Sequence, residues 1–271
     1  MSDIYPGYLG GSSLGPMTSF SCKIDQDFIF YNHTIGRLDS IPTGSGSKGV
    51  GDTPMQNPIG RPGTAKAVGN ISTMLIDGIG MNTYIKAAEA GGPCGDISVC
   101  STCSEGDISY IFKQCFINSF NFSVSAGGPI NVTFDFWAMD YDDDATGCGG
   151  TSLAKVVTWD QMAGDLSGAR DFNFSINNNL GAIYTISYEG SSSNIYMPRA
   201  IRPGIQTVSG SVTRYEDMPI LFSTGGEDSI SFSAGDYSTT LLVAYLIPEA
   251  KGEIAFGSYT QAFVGRDTNF A

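Results

Sequence analysis

The sequence is short of the groups that most chemistry needs. It holds one histidine, His33, and two tryptophans, and only 15% of its residues are charged. A lone histidine with no resolvable Ser/Asp or Cys partner leaves a nucleophilic triad incomplete. Basic residues are scarce as well: 14 Lys and Arg stand against 27 Asp and Glu, a formal net charge of −13. Nucleic-acid affinity is built from cationic contacts, so this balance argues against a protein that grips phosphate. It suits a surface past which a polyanion slides. No stretch approaches the ~18 consecutive apolar residues of a spanning helix. The start, M-S-D-I-Y-P-G-Y-L-G-G, lacks the basic and apolar segments of a secretion signal, so the expectation is synthesis in a cytoplasm and no membrane partner.

Textual matches to reactive motifs fail on context. Gly11-Ser12-Ser13-Leu14-Gly15 spells G-x-S-x-G, yet a nucleophile elbow needs a strand before it and a helix after it. The loop Gly44–Gly49 lacks the spacing of a phosphate loop. Asp140, Asp142, Asp143 and Asp144 are followed by Ala145 and Thr151, where a calcium loop starting at Asp140 wants Gly and Glu. Among the six cysteines, Cys94, Cys100 and Cys103 fall closest together, in P-C-G-D-I-S-V-C-S-T-C. C-x-x-C is a metal or redox spacing, but a zinc site normally shows a second pair. Free thiols, a disulfide-clipped loop and a metal site all remain open. The reading is of no enzyme and no cofactor.

What the chain has in quantity is glycine, 35 residues, and alternation of apolar with polar positions. This suits β-strands joined by tight turns. Ile130, Val132, Phe134 and Phe136 alternate with Asn131, Thr133 and Asp135, a half-buried antiparallel strand preceded by the turn A-G-G-P. Met81–Ala90, ending at Gly91-Gly92, reads as a helix with a glycine stop. Strands are expected at 154–159, 208–215, 229–233, 239–247 and 253–264, and a short helix at 217–225. Residues 38–58 read as a long loop.

The chain also says nearly the same thing twice. Phe20, Cys22, Ile24 and Phe28 fall on Phe172, Phe174, Ile176 and Leu180 without a gap. R-P-G-T-A-K-A-V-G-N-I-S-T from Arg61 is echoed by R-P-G-I-Q-T-V-S-G-S-V-T-R from Arg202, matched with a one-residue slip inside. Two matches in one order predict an all-β protein with minor helix, made of two tandem units. The expected division is an arm at 1–17, a first unit at 18–140, a junction at 141–151 and a second unit at 152–271.

The repeated order of strand, R-P-G strand, helix and closing hairpin resembles the tail tube proteins of tailed bacteriophages. Phe112–Ala138 looks like the closing hairpin of a tube unit, and Phe172–Leu180 with Pro198–Thr213 like its opening strands. The insert at 91–107 departs from the compact unit. The resemblance implies two β-barrel or sandwich units, each flanked by one helix, in a structural virion protein. It also implies homotrimeric rings that stack into a tube conducting the genome, contacts with sheath, terminator or baseplate proteins, and a place in the virion tail. A tail-tip or baseplate hub protein of the same fold is the alternative, and a carbohydrate-binding β-sandwich a more distant one. The candidate interface or lumen residues are Asp25 and Asp27, which match Asn177 and Asn179; Cys94, Cys100 and Cys103 are the candidate thiol cluster.

Overall fold

In the computed structural model the described residues are 10–12, 15–32, 37–41, 59–77, 81–103, 106–142, 155–184, 197–215, 228–246, 253–255 and 257–267. The first half opens with β1 (Gly10–Ser12), β2 (Gly15–Met17), β3 (Ser19–Asn32), β4 (Arg37–Ile41) and β5 (Ile59–Met74). The helix α1 (Met81–Ala90) follows, then β6 (Pro93–Cys103), β7 (Gly106–Ser125), β8 (Asn131–Ala138) and β9 (Asp140–Asp142). The second half holds β10 (Met162–Gly164), β11 (Ala169–Asn177), β12 (Gly181–Ile183), β13 (Ala200–Arg202) and β14 (Thr207–Tyr215). It ends with β15 (Asp228–Ala234), β16 (Tyr237–Leu246), β17 (Glu253–Ala255) and β18 (Ser258–Asp267). The protein is all-β with one described helix.

Alternation dictates the strands. Val132, Phe134, Phe136 and Ala138 of β8 are buried while their neighbours are not. The same rhythm buries Phe172, Phe174 and Ile176 of β11. The helix ends as its sequence requires: Gly91 takes φ 63°, Gly91 N–H donates to Ala88 O (3.3 Å) and Gly92 N–H to Ala87 O (3.2 Å). This is the paired 5→2 and 6→1 bonding of a Schellman stop.

One continuous sheet carries both halves. Along it β5 pairs β3 and β8, β8 pairs β7, β7 pairs β11, and β11 pairs β14, which pairs β18. The first half therefore runs β3–β5–β8–β7–β6 and the second β11–β14–β18–β16–β15, the same order by position in the chain. The registers coincide too. Phe20, Cys22 and Ile24 stand opposite Ile71, Gly69 and Ala67. Phe172, Phe174 and Ile176 stand opposite Val212, Gly210 and Val208. Gly69 then faces Phe136 of β8, and Gly210 faces Phe263 of β18. This register places Gly69 on Gly210 and Ile71 on Val212 at one constant spacing from the two R-P-G starts, so the expected slip is absent.

Several expectations change. The cysteine-bearing insert at 91–107 contributes β6, a strand laid along the first half of β7. Ile97 and Val99 are buried and supply its alternation. Within the arm, β1 pairs β2 and β6. Instead of a strand at 154–159, Val156 and Thr158 make isolated bridges to Ile76 and Pro129 before a turn of 3-10 helix at Trp159–Gln161. Asp140–Asp142, spanning the end of the expected first unit and the start of the expected junction, pairs with β7 as β9. Of the loop expected at 38–58, residues 38–41 instead belong to β4, paired with β3; its remainder and the helix expected at 217–225 lie outside the described residues.

Candidate assembly surfaces

The seam between the halves is a strand pair, β7 with β11. Asp171 stands opposite Ser125, Asn173 opposite Ser123, Ser175 opposite Asn121 and Asn177 opposite Ser119. On the buried side Phe122 stacks on Phe174 with ring centres 5.3 Å apart, and Phe120 meets Phe174 edge-on at 5.7 Å. Phe232 reaches Phe122 and Phe172 from β15 at 5.6 and 5.2 Å. Aromatic pairs in such geometries add about 0.5–1.5 kcal/mol each beyond the area they bury.

A second set of contacts ties α1 to the other half. Asn178, fully buried just past β11, donates from Nδ2 to Ala88 O (2.8 Å) at the helix end and to Ile117 O (2.9 Å) of β7. Its Oδ1 accepts from Gln206 Nε2 (2.8 Å), which also donates to Glu89 O (2.8 Å). Glu89 is buried within an apolar face, and its carboxylate is paired with Lys86 Nζ (2.8 Å) and accepts from Tyr237 OH (2.8 Å). Lys86 Nζ further donates to Ser238 O (2.8 Å) and Asn82 Nδ2 to Asp236 O (2.9 Å). A buried carboxylate without such partners would carry a severe desolvation cost.

The opposite face of the β3–β5–β8–β7–β11–β14–β18 run is a carpet of hydroxyls and amides. Cross-strand bonds join Ser72 to Thr133 (3.2 Å), Asn173 to Ser211 (2.8 Å), Ser175 to Ser209 (3.1 Å) and Thr213 to Thr260 (2.9 Å). Asp135 accepts from Asn70 and Ser119 on its two flanking strands. Lys66 lies 3.9 Å over the Trp137 ring, and Arg170 pairs with Asp171 at 3.5 Å. Charges on this face are few and locally offset.

The sequence candidates fall in three places. Asn177 ends β11 and Asn179 lies in the turn after it: Asn177 Oδ1 accepts from Asn179 N (2.9 Å), and Asn179 takes φ 46° while its Nδ2 donates to Ile205 O (2.6 Å). They build the turn that presents Asn178. Asp25 and Asp27 lie in β3, Asp25 opposite Lys66, and their side chains lie outside the described residues. Cys94 is a free thiol that donates to Cys115 O (3.2 Å), and Cys115 is free and buried. Cys100 and Cys103 stand in β6 opposite Ser109 and Gly106; their side chains lie outside the described residues. Burial pushes the Cys94 thiol up to about 12, and burial together with neighbouring Cys94 raises Cys115 further. Such thiols stay protonated and make poor nucleophiles or metal ligands. Sequence reasoning missed Asn178 and Gln206; Asn178 sat between the two asparagines it selected.

The chain belongs to the phage tail tube protein family, whose model matches residues 38–255. It is therefore a structural component of a phage tail. No curated protein matches the chain.

Proposed function

We propose that the chain is two copies of one tube unit, at 18–140 and 152–271, with the arm at 1–17 and the junction at 141–151 outside them. Three chains close into a ring of six units, and rings stack into the tube through which the genome leaves the virion. The observation that carries this reading is the common strand order and register, down to Gly69 under Phe136 and Gly210 under Phe263. A ring also closes sheet edges that would otherwise template aggregation.

The hydroxyl and amide face lines the lumen in this reading. Its charges include Lys23, Lys66 and Arg170 against Asp135 and Asp171, with Asp25 placed opposite Lys66 by the register, so the wall is close to neutral rather than strongly acidic. Neutral groups already bonded to each other offer phosphate little to bind, and duplex DNA passes without being held. The net charge of −13 then lies mostly off this wall. Sheath, terminator and baseplate proteins are the partners on the outer surface and at the two ends. No step in this function calls for catalysis. Electron microscopy of the purified protein tests it: rings with three chains that stack on one axis are expected, and monomers at high concentration would refute it.

A further inference from the structure

The seam inside the chain specifies the seam between chains. In the first half, residues 119–125 of β7 have β8 on one side and β11 on the other. The matching stretch of the second half follows from the last strands. Phe136 and Phe263 hold equivalent places, which sets Asn131 on Ser258. Ser123 faces Asn131, and Ala255 faces Ser258, so β17 stands where residues 121–123 of β7 stand. Yet β17 pairs only β18 among the described residues. The strand matching β11 is β3, and residues 19–26 of β3 pair only β5 among the described residues. Among the described residues, one half-seam is open in each half of the chain.

We propose that β17 of one chain pairs antiparallel with β3 of a second copy, in the register that β7 and β11 already use. This rests on the ring reading above. Asn173 faces Ser123 and Ser175 faces Asn121, so Ser21 meets Ala255 and Lys23 meets Glu253 of the next chain. Three features fit this occupant. Opposite charges fall at directly opposed positions, Lys23 with Glu253, where the internal seam has the neutral Ser175 and Asn121. The core side of β3 is uncovered: Cys22 is exposed and Phe20 only half-buried, whereas the matching Phe174 and Phe172 are each 1% exposed. The register brings Ile254 opposite Cys22, as Phe122 stands opposite Phe174. Finally, Gln26 holds the place of Asn178, a second amide where the internal seam uses one to bond the helix end of the other half.

Cysteine pairing tests the register. Ser21→Cys and Ala255→Cys are made as separate variants, mixed and oxidised, so that any bond between the two new thiols joins two chains. Directly opposed residues lie within disulfide reach, and a shift of two residues does not. The expected result is a covalent dimer from this mixture, a closed covalent trimer from the double variant, and little product from Lys23→Cys with Ala255→Cys. Peptide mapping assigns each bond to the new cysteines. Rings in the microscope with no bond at this pair, or with the bond at the shifted pair, would overturn the register and leave the ring standing. A bond that forms only within one chain in the double variant would also overturn it. Absence of any rings would instead refute the reading on which it rests.

Discussion

Gly69 lies beneath the Phe136 ring so closely that a Cβ there would sit 2.3 Å from Cζ. Gly210 and Phe263 repeat the relation at 2.4 Å, and a Cβ on Gly210 would also lie 2.3 Å from Asn173 O. Both rings are buried, so neither can swing aside freely. Gly69→Ala is expected to destabilise the fold by about 1–3 kcal/mol, the usual cost of overpacking. Gly210→Ala is expected to cost more, because its clash includes backbone. Urea unfolding of the two variants checks the order, and Phe136→Leu should restore part of the loss in Gly69→Ala.

Asn178 makes three bonds from a fully buried side chain, two of them across the seam. Asn178→Leu takes this donor from the carbonyls of Ala88, which keeps its bond from Gly91 N–H, and Ile117, and a loss of about 1–3 kcal/mol of stability is expected. Asn178→Asp is expected to be worse, since it faces the same carbonyls with a charge. Hydrogen exchange at the C-terminal turn of α1 should rise in both variants.

The buried thiols carry a pH dependence with a definite sign. Cys94 and Cys115 are held protonated in the fold, above an ordinary value of 9.0, and Cys94 reaches about 12. Stability from this preference is complete below pH 9 and is lost as pH rises from 9 toward 12, because the unfolded chain ionises first. Comparing unfolding midpoints at about pH 8 and about pH 10.5 checks it. A Cys94→Ala, Cys115→Ala variant should show a smaller drop. Site-resolved alkylation of the folded, unassembled chain should label Cys22 well before either of them.

A neutral lumen should become adhesive when cations are added. Asn121 and Ser175 face each other across the β7–β11 seam on the hydroxyl face. Lysine at both positions should leave tubes intact while making them retain duplex DNA. Each new phosphate contact should steepen the salt dependence of retention by about 0.9 log units per log unit of salt. Tubes that carry the lysines and release DNA as freely as before would contradict the placement of this face.

Much of the fold is legible in the sequence because its signals are local. Alternation marks β8 and β11, and Gly91 marks the end of α1. The strand β6 is harder to read: three cysteines draw attention away from the alternation of Ile97 and Val99. The short strands β1 and β2 are glycine-rich and owe their pairing to β6 and to each other. Asn178 is illegible for another reason. The alternation Phe172, Phe174, Ile176, Leu180 puts 178 on the buried face, but the partners that make an amide tolerable there, α1, β7 and Gln206, are distant in the chain and leave no local signal.

On the proposed function, three copies of this chain form a six-unit ring and such rings stack into a tube. A cryo-electron-microscopy reconstruction of the assembled protein measures this directly. The expected result is threefold rings with pseudo-sixfold density, stacked along one axis, with the Asn121 and Ser175 face on the lumen. A monodisperse monomer at high concentration, with every sheet edge capped within its own chain, would contradict it.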